Sequence, residues 1–417
     1  MNIVVVGSAL PYPANSGNRI RTLSLLVRLA DRHTITLLGT RNADRVEGRA
    51  AIEFLGDHHI EAVEVNHRVP SKSGLGFHAR LAANLVSPLP YSVASHHGRN
   101  LTRAVYKIAA SRHVDVWQAE WAAGVMALRG LPAARRVLMA HNVETLIWER
   151  YAETETNPLK RWYIHQQAHK FAAFERKAFT ESDRVVAVSP DDAALIRNRF
   201  GCDRVDVVDN GIDRPFFESV VPDRDPGRIL FLGSLEWRPN LDALNLLLDT
   251  IFPAVRQAEP SACLDVVGRN PPSALIKRLA ETPGATLHAN VADVRPYLAR
   301  SGVMAVPLRV GGGSRLKILE ALATGLPVVS SRVGAEGLEL RPGVDLDIVE
   351  NAEEMAPALI NALRDPVIAT MKAEQARSHV LERYDWDRLA DLLERSWERA
   401  RGVVNVYAEP ALRESPS

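Results

Sequence analysis

Short runs of β-branched and aliphatic residues recur along this chain, each followed by a longer stretch with amphipathic spacing. In the first half the runs are 3–6, 34–38, 62–65, 114–117, 136–139 and 184–188. In the second half they are 229–232, 264–267, 285–288, 303–307 and 327–330. Runs that stay apolar without alternating suit strands covered on both faces. Helical stretches between them predict βαβ units and parallel sheets. The pattern restarts after a loop rich in Pro, Asp and Gly at 209–227. The reading is therefore α/β, with two doubly wound Rossmann-like domains at 1–210 and 211–384. A single amphipathic helix is expected within 385–403, followed by a tail at 404–417.

Composition narrows the class. A chain of 417 residues suits two domains of roughly 150–200 residues. The apolar share of 46% and charged share of 24% are globular values. A net charge of +1 carries no global signature for nucleic acid. Two cysteines, Cys202 and Cys263, exclude a disulfide framework and fit a reducing compartment. The apolar start at Ile3 is too short for a signal peptide and lacks its basic residues. No stretch approaches the roughly 18 apolar residues of a membrane span. The expectation is a cytoplasmic protein, with peripheral contact at the inner face of the membrane as its closest approach to lipid.

One region departs from neutrality. From 66 to 107 the chain carries Arg68, Lys72, Arg80, Arg99, Arg103 and Lys107 and no acidic residue, with Leu75, Phe77, Leu81 and Leu85 interleaved. It reads either as a solvated surface with a few buried anchors or as a basic amphipathic surface that meets anionic lipid or a phosphorylated acceptor.

The strongest chemical signal is a strand at 303–307, a loop with Gly311, Gly312, Gly313 and Ser314, then a helix carrying Arg315, Lys317 and Glu320. Ser314 is placed to cap the helix, and Gly325 with Pro327 to end it. Glycines let a ligand approach the backbone, and the first helical N–H groups favour an anion. Arg315 and Lys317 add positive charge at the same end, against the helix dipole. A bound diphosphate would explain that placement. Glu320 could then accept hydrogen bonds from a ribose diol. An ordinary surface helix after a Gly-rich turn is the plainer reading.

Three weaker signals accompany it. The first loop, with Pro11, Pro13, Ser16, Gly17, Asn18 and Arg19, lacks the dinucleotide fingerprint G-x-G-x-x-G, and Gly17 opens the next helix with room for substrate. His141 follows a strand, at the edge where open α/β sheets bind ligands. Arg238, after Gly233 and Trp237, could reach a phosphate across a cleft or remain a surface arginine.

Together these residues resemble glycosyltransferase family 4, whose members have the GT-B fold. The likeness runs from the P-x-P…G…R opening through His141, the Gly233 loop, Gly268-Arg269, Val291 to Leu298 and the Gly-rich loop with Glu320, and ends at Gly334 to Leu338. The Gly-Gly-Gly-Ser-Arg-Leu-Lys-Ile-Leu-Glu-Ala version looks like a branch tied to exopolysaccharide assembly. The resemblance implies retaining transfer from a nucleotide-diphosphate sugar, with no metal and no cofactor. The acceptor, a saccharide or lipid-linked glycan, would use the N-terminal domain and the donor the C-terminal one. Glu320 would hold the ribose, the main chain near Val291 the base, and His141 the donor sugar. Arg315 and Lys317, helped by Arg238, would hold the diphosphate beside Gly313 and Ser314, with Gly17 and Arg269 among the other donor-binding residues. The last helix would cross back to the N-terminal domain. Gly312 stands where many members have a first glutamate, and Ser234 and Pro239 also depart from the family pattern. Other readings remain: a sugar-nucleotide epimerase of the same architecture, or a non-catalytic nucleotide-sugar scaffold. The three D-x-D tripeptides at 223–225, 345–347 and 385–387 are short enough to arise by chance and are not expected to bind metal.

Overall fold

The computed structural model describes residues 1–402 apart from 43, 68, 72, 132–133 and 311–314. Gly312, Gly313 and Ser314, the basic residues Arg68 and Lys72, and the tail thus lie outside the described residues.

The first sheet holds β1 (Asn2–Val6), β2 (Thr34–Thr40), β3 (Ile60–Val65), β4 (Val116–Ala119), β5 (Arg136–Ala140), β6 (Arg184–Ala187) and β7 (Val205–Val207). Their order is β3-β2-β1-β4-β5-β6-β7, all parallel. The second holds β8 (Asp225–Ser234), β9 (Cys263–Arg269), β10 (Ala285–Ala289), β11 (Ser301–Val306), β12 (Val328–Ser331) and β13 (Asp347–Val349). It runs β10-β9-β8-β11-β12-β13, again all parallel. The strand order reverses at β1/β4 and at β8/β11. Open α/β sheets form their binding crevice outside the carboxyl ends of the strands at such a reversal.

Why β1 is a strand is plain from its burial. Ile3 and Val5 face one hydrophobic cluster while Val4 and Val6 face another, so both sides of the sheet are covered. Two expectations need correction. The run at 114–117 starts too early, because β4 continues through Gln118, a polar residue buried by a side-chain hydrogen bond. The strands β7 and β13 escaped the apolar pattern because each has three residues and contains an aspartate, Asp206 or Asp347.

The helix Trp386–Arg401 lies against the helix Gly17–Ala30 and the strands β4, β5 and β6. Trp386, Leu389, Leu393 and Trp397 join Ile3, Val5 and Leu26 in one buried cluster. The chain passes between the halves twice, side by side: Ile212 N–H donates to Tyr384 O at 2.8 Å. Leu316, from the second half, also enters that first-half cluster. The start of the helix Leu316–Ala323 therefore meets the N-terminal half.

Candidate active site between the two halves

The helix Leu316–Ala323 follows β11 and the Gly-rich loop, so it springs from the second switch point. Arg315, not Ser314, occupies its cap position, with φ −94° and no side-chain cap bond. The expected serine cap is corrected there. Arg315 is buried and turns to Glu336, with a guanidinium-to-carboxylate distance of 3.3 Å. Glu336 in turn makes a two-pronged pair with Arg150 of the first half, both bonds at 2.7 Å. The cation at this helix end thus has a protein counterion, which explains its placement without a ligand. A cavity of about 290 Å³ opens beside it between the halves, lined by Ile147, Arg150, Asp192, Asn210, Arg315 and Tyr384 among others.

Lys317 lies on another side. Its Nζ donates to Asn240 Oδ1 at 2.9 Å and sits 5.4 Å from the Phe231 ring centre. Gly233 is required here: a Cβ would come within 2.7 Å of Asn240 Nδ2 and 3.1 Å of Lys317 Nζ. Burial pushes the Lys317 ammonium down to about 8, and the charge of Arg315 adds to the effect, while Glu320 opposes it. Burial pushes Glu320 up to about 7, against the pull of Lys317. Glu320 has no hydrogen-bond partner among the described residues. Two half-buried opposite charges therefore sit one turn apart, each incompletely satisfied.

The other candidate cations have contacts of their own. Arg269 ends β9 and lies 3.3 Å from Glu236. Arg19, two residues into the helix that Gly17 opens, is close enough to Arg269 to feel its charge across the seam. Burial lowers the Arg19 pKa, Glu47 opposes that, and Arg269 adds to it. Arg238 does reach across, but to protein: it contacts Glu155 at 3.1 Å and stacks 4.8 Å from the Tyr151 ring centre. Val291 follows β10, partly buried against the second-half core. The residue before it, Asn290, takes the left-handed φ of 54° and donates its N–H to Gly268 O at 2.8 Å.

His141 follows β5 in the first half. Its Nε2 is 3.0 Å from Glu120 Oε2. Glu120 follows β4, at the first switch point. Sequence reasoning gave no role to Glu120, Asn240 or Arg150. It brought Arg315, Lys317 and Glu320 onto one helix; the structure has Lys317 and Glu320 in it and Arg315 at its cap. No hydrogen bond or ion pair among the described residues joins His141 to that helix.

The three D-x-D tripeptides carry structural pairs: Asp225 with Arg228, Asp345 with Arg341, Asp347 with Lys372, and Asp385 as the cap of the last helix.

Comparison with known proteins gives this geometry a context. Residues 15–215 match the model of glycosyltransferase family 4, and residues 226–365 match that of the glycosyl transferases group 1. An uncharacterized 44.6 kDa protein in the cps region of Klebsiella pneumoniae is 24% identical over 404 residues, which cover 92% of this chain and 96% of that one. The D-inositol 3-phosphate glycosyltransferase of Rhodococcus erythropolis is 30% identical over 266 residues, 57% of this chain, and the chain spans 58% of that relative's length. Among solved structures, sucrose-phosphate synthase from Thermosynechococcus elongatus shares the fold with a TM-score of 0.72 at 16% identity, over 97% of this chain and 100% of that one. Anabaena HepE in complex with UDP and glucose does so with 0.67 at 14% identity, over 96% and 100%. At such identities the likeness speaks for the fold, the two facing Rossmann-like domains of GT-B. The family matches cover both halves and separate the chain from epimerases of similar architecture. With its two parallel sheets and its charged helix at the second switch point, the chain belongs to the glycosyltransferases, within family 4.

Proposed function

We propose that this glycosyltransferase moves a sugar from a nucleoside-diphosphate sugar held mainly by the β8–β13 half to a saccharide or lipid-linked acceptor held by the β1–β7 half. Transfer retains the anomeric configuration and uses no metal. The carrying observation is the pair Lys317 and Glu320, half-buried one turn apart with their charges incompletely satisfied. Lys317 serves the diphosphate, together with Arg315, whose charge acts on it, and with Arg269, Arg238, Gly313 and Ser314 as further donor-binding residues. Glu320 serves the ribose, the main chain at Val291 the base, and His141 the transferred sugar. Gly17 leaves room at the start of its helix. Fixed cations stabilise the charge that develops on a departing diphosphate, which is the work a metal would otherwise do.

HepE, a fold relative, was solved with UDP and with UDP-glucose, which supports a nucleotide-sugar donor. The Klebsiella relative's cps region supports a place in polysaccharide assembly. A peripheral membrane contact rests on the first half. Arg99, Arg103 and Lys107 form one exposed stripe on the helix Arg99–Ser111 and have no ion-pair partner among the described residues. Leu75 and Val86 nearby in sequence are about nine-tenths exposed, at 90% and 91%. No helix among the described residues is long and apolar enough to cross a membrane. Liposome binding should need anionic lipid and weaken with salt.

The test of the donor is a thermal-shift series with UDP, GDP, ADP and their sugars in EDTA. A ligand at a hundredfold excess over its Kd stabilises by about 2.7 kcal/mol. No shift with any nucleotide, or a shift only after manganese is restored, overturns the reading.

A further inference from the structure

Behind His141 lies a buried chain of polar side chains that the reading above does not use. It begins on the last helix. The indole Nε1 of Trp397 donates to Gln118 Oε1 at 2.6 Å. An indole N–H can only donate, so the Gln118 oxygen must face it and the Gln118 amide NH2 must face the other way. That NH2 donates to Glu120 Oε1. The other carboxylate oxygen, Oε2, accepts from the Thr22 hydroxyl at 2.6 Å and meets His141 Nε2 at 3.0 Å. Gln118 and Glu120 are 1% and 8% exposed.

The protonation pattern follows. Burial acts against the charge of Glu120, but hydrogen bonds from His141, Thr22 and Gln118 outweigh it and hold the carboxyl below its ordinary range. Facing only donors, the group is a carboxylate. The proton shared with His141 therefore belongs to the imidazole, at Nε2. Nδ1 makes no hydrogen bond among the described residues.

A buried glutamate satisfied by a histidine is often structural. Two observations argue for more. Glu120 stands at the β1/β4 switch point, at the edge where doubly wound sheets bind ligands. The next residue, Trp121, has φ 127°, far outside the range a side chain of its bulk prefers. Backbone strain of this kind collects at functional sites.

We propose that Glu120 is a positioning residue that fixes His141 with its proton on Nε2, so that Nδ1 is offered to substrate as a hydrogen-bond acceptor for a sugar hydroxyl, and that the last helix sets this arrangement through Trp397 and Gln118. The consequence for substrate deepens the assignment of His141 to the sugar and rests on it. The tautomer does not, which keeps the two separable.

The experiment uses the full-length protein and the variants His141→Ala, Glu120→Gln and Trp397→Phe. Kinetics of donor turnover are read beside the ¹⁵N signals of His141, assigned by their loss in His141→Ala. In the parent protein His141 should show the proton on Nε2. Glu120→Gln should lower kcat on the order of 10- to 100-fold, the size of effect seen when a metal-bound histidine loses the carboxylate behind it. The donor KM should stay within about twofold, and the ¹⁵N signals should move toward the other tautomer. Trp397→Phe, which keeps the packing and removes one donor, should move both readouts the same way by less. It carries the test if Glu120→Gln does not fold. An unprotonated Nε2 in the parent, or unchanged kcat and ¹⁵N signals in both variants, overturns the proposal. A normal kcat in His141→Ala overturns the role of His141 toward the sugar and leaves the tautomer to be judged by the ¹⁵N signals.

Discussion

The two switch points of this molecule are built in opposite ways. At β1/β4 the ionisable groups are finished by protein: the Glu120 carboxylate has Gln118, Thr22 and His141 around it. At β8/β11 they are not. Lys317 is pushed down to about 8 and Glu320 up to about 7, each by burial that no full set of partners offsets. A satisfied network holds geometry before substrate arrives. An unsatisfied pair of charges keeps free energy available for a ligand that brings the missing partners. The comparison suggests a division of labour: the first half orients, and the second half binds.

The largest expected effect breaks the second half. Lys317→Ala should lower kcat by roughly 10²-fold or more, because charge on the diphosphate grows as the glycosidic bond breaks. Calorimetry should show weaker nucleoside diphosphate and unchanged free nucleoside. Equal loss for both would remove Lys317 from the diphosphate. Glu320→Gln comes next. A ribose does not change during reaction, so the loss should fall on the donor KM and on nucleoside affinity, by about 1.5–3 kcal/mol. Intact nucleoside affinity in that variant would end the ribose assignment.

The same contrast explains what was legible in the sequence. Parallel strands buried on both faces read as apolar runs, which made the two sheets and their order of elements visible. The helix with Arg315, Lys317 and Glu320 was visible because its chemistry is contiguous. The first-half site was not, because it is assembled from distant places: Thr22 is 98 residues from Glu120, and Trp397 is 279 from Gln118. Gln118 and Glu120 lie just past the apolar run at 114–117, and only the fold reveals them as buried. The partner of Arg315 was hidden for the same reason, although Glu336 stood in a recognised motif.

A sharper form of the comparison uses pH. The probe is a nucleoside-diphosphate sugar, whose phosphates keep a constant charge near neutrality. Glu320 is raised, so it is protonated below about 7 and ionises as pH climbs. Lys317 is lowered, so its charge is lost above about 8. Affinity should therefore rise toward 7, peak between about 7 and 8, and fall beyond, by about tenfold per pH unit on each limb. Free nucleoside should keep the acidic limb and lose the alkaline one. Glu320→Gln should flatten the acidic limb for both ligands. An affinity that is flat from pH 6 to 9 would mean that these charges do not serve the donor.

The smallest effect is expected where the halves touch. Arg150 and Glu336 form the two-pronged pair across the seam, and Glu336 also holds Arg315. The side chains of Arg150 and Glu336 are 20% and 33% exposed, so water screens their pair, but that of Arg315 is 5% exposed. Arg150→Ala leaves Glu336 with Arg315 and should cost little. Glu336→Gln removes the carboxylate from both arginines and leaves the buried Arg315 guanidinium its 3.3 Å bond to Glu336 O and the charge of Asp192. After allowance for screening, the second loss should be about 1 kcal/mol, and a shift of that size lowers Tm by about 2–4 °C in a domain of this size. The order of the two variants is the test. If Arg150→Ala lowers Tm as much as Glu336→Gln, the cross-seam pair itself carries the stability. If Glu336→Gln is the more costly, the carboxylate acts first as the counterion of Arg315. In that case the second half supplies its own anion at the cap of the Leu316–Ala323 helix. Lys317, whose hydrogen-bond partner is the neutral Asn240, then remains for a donor phosphate to meet.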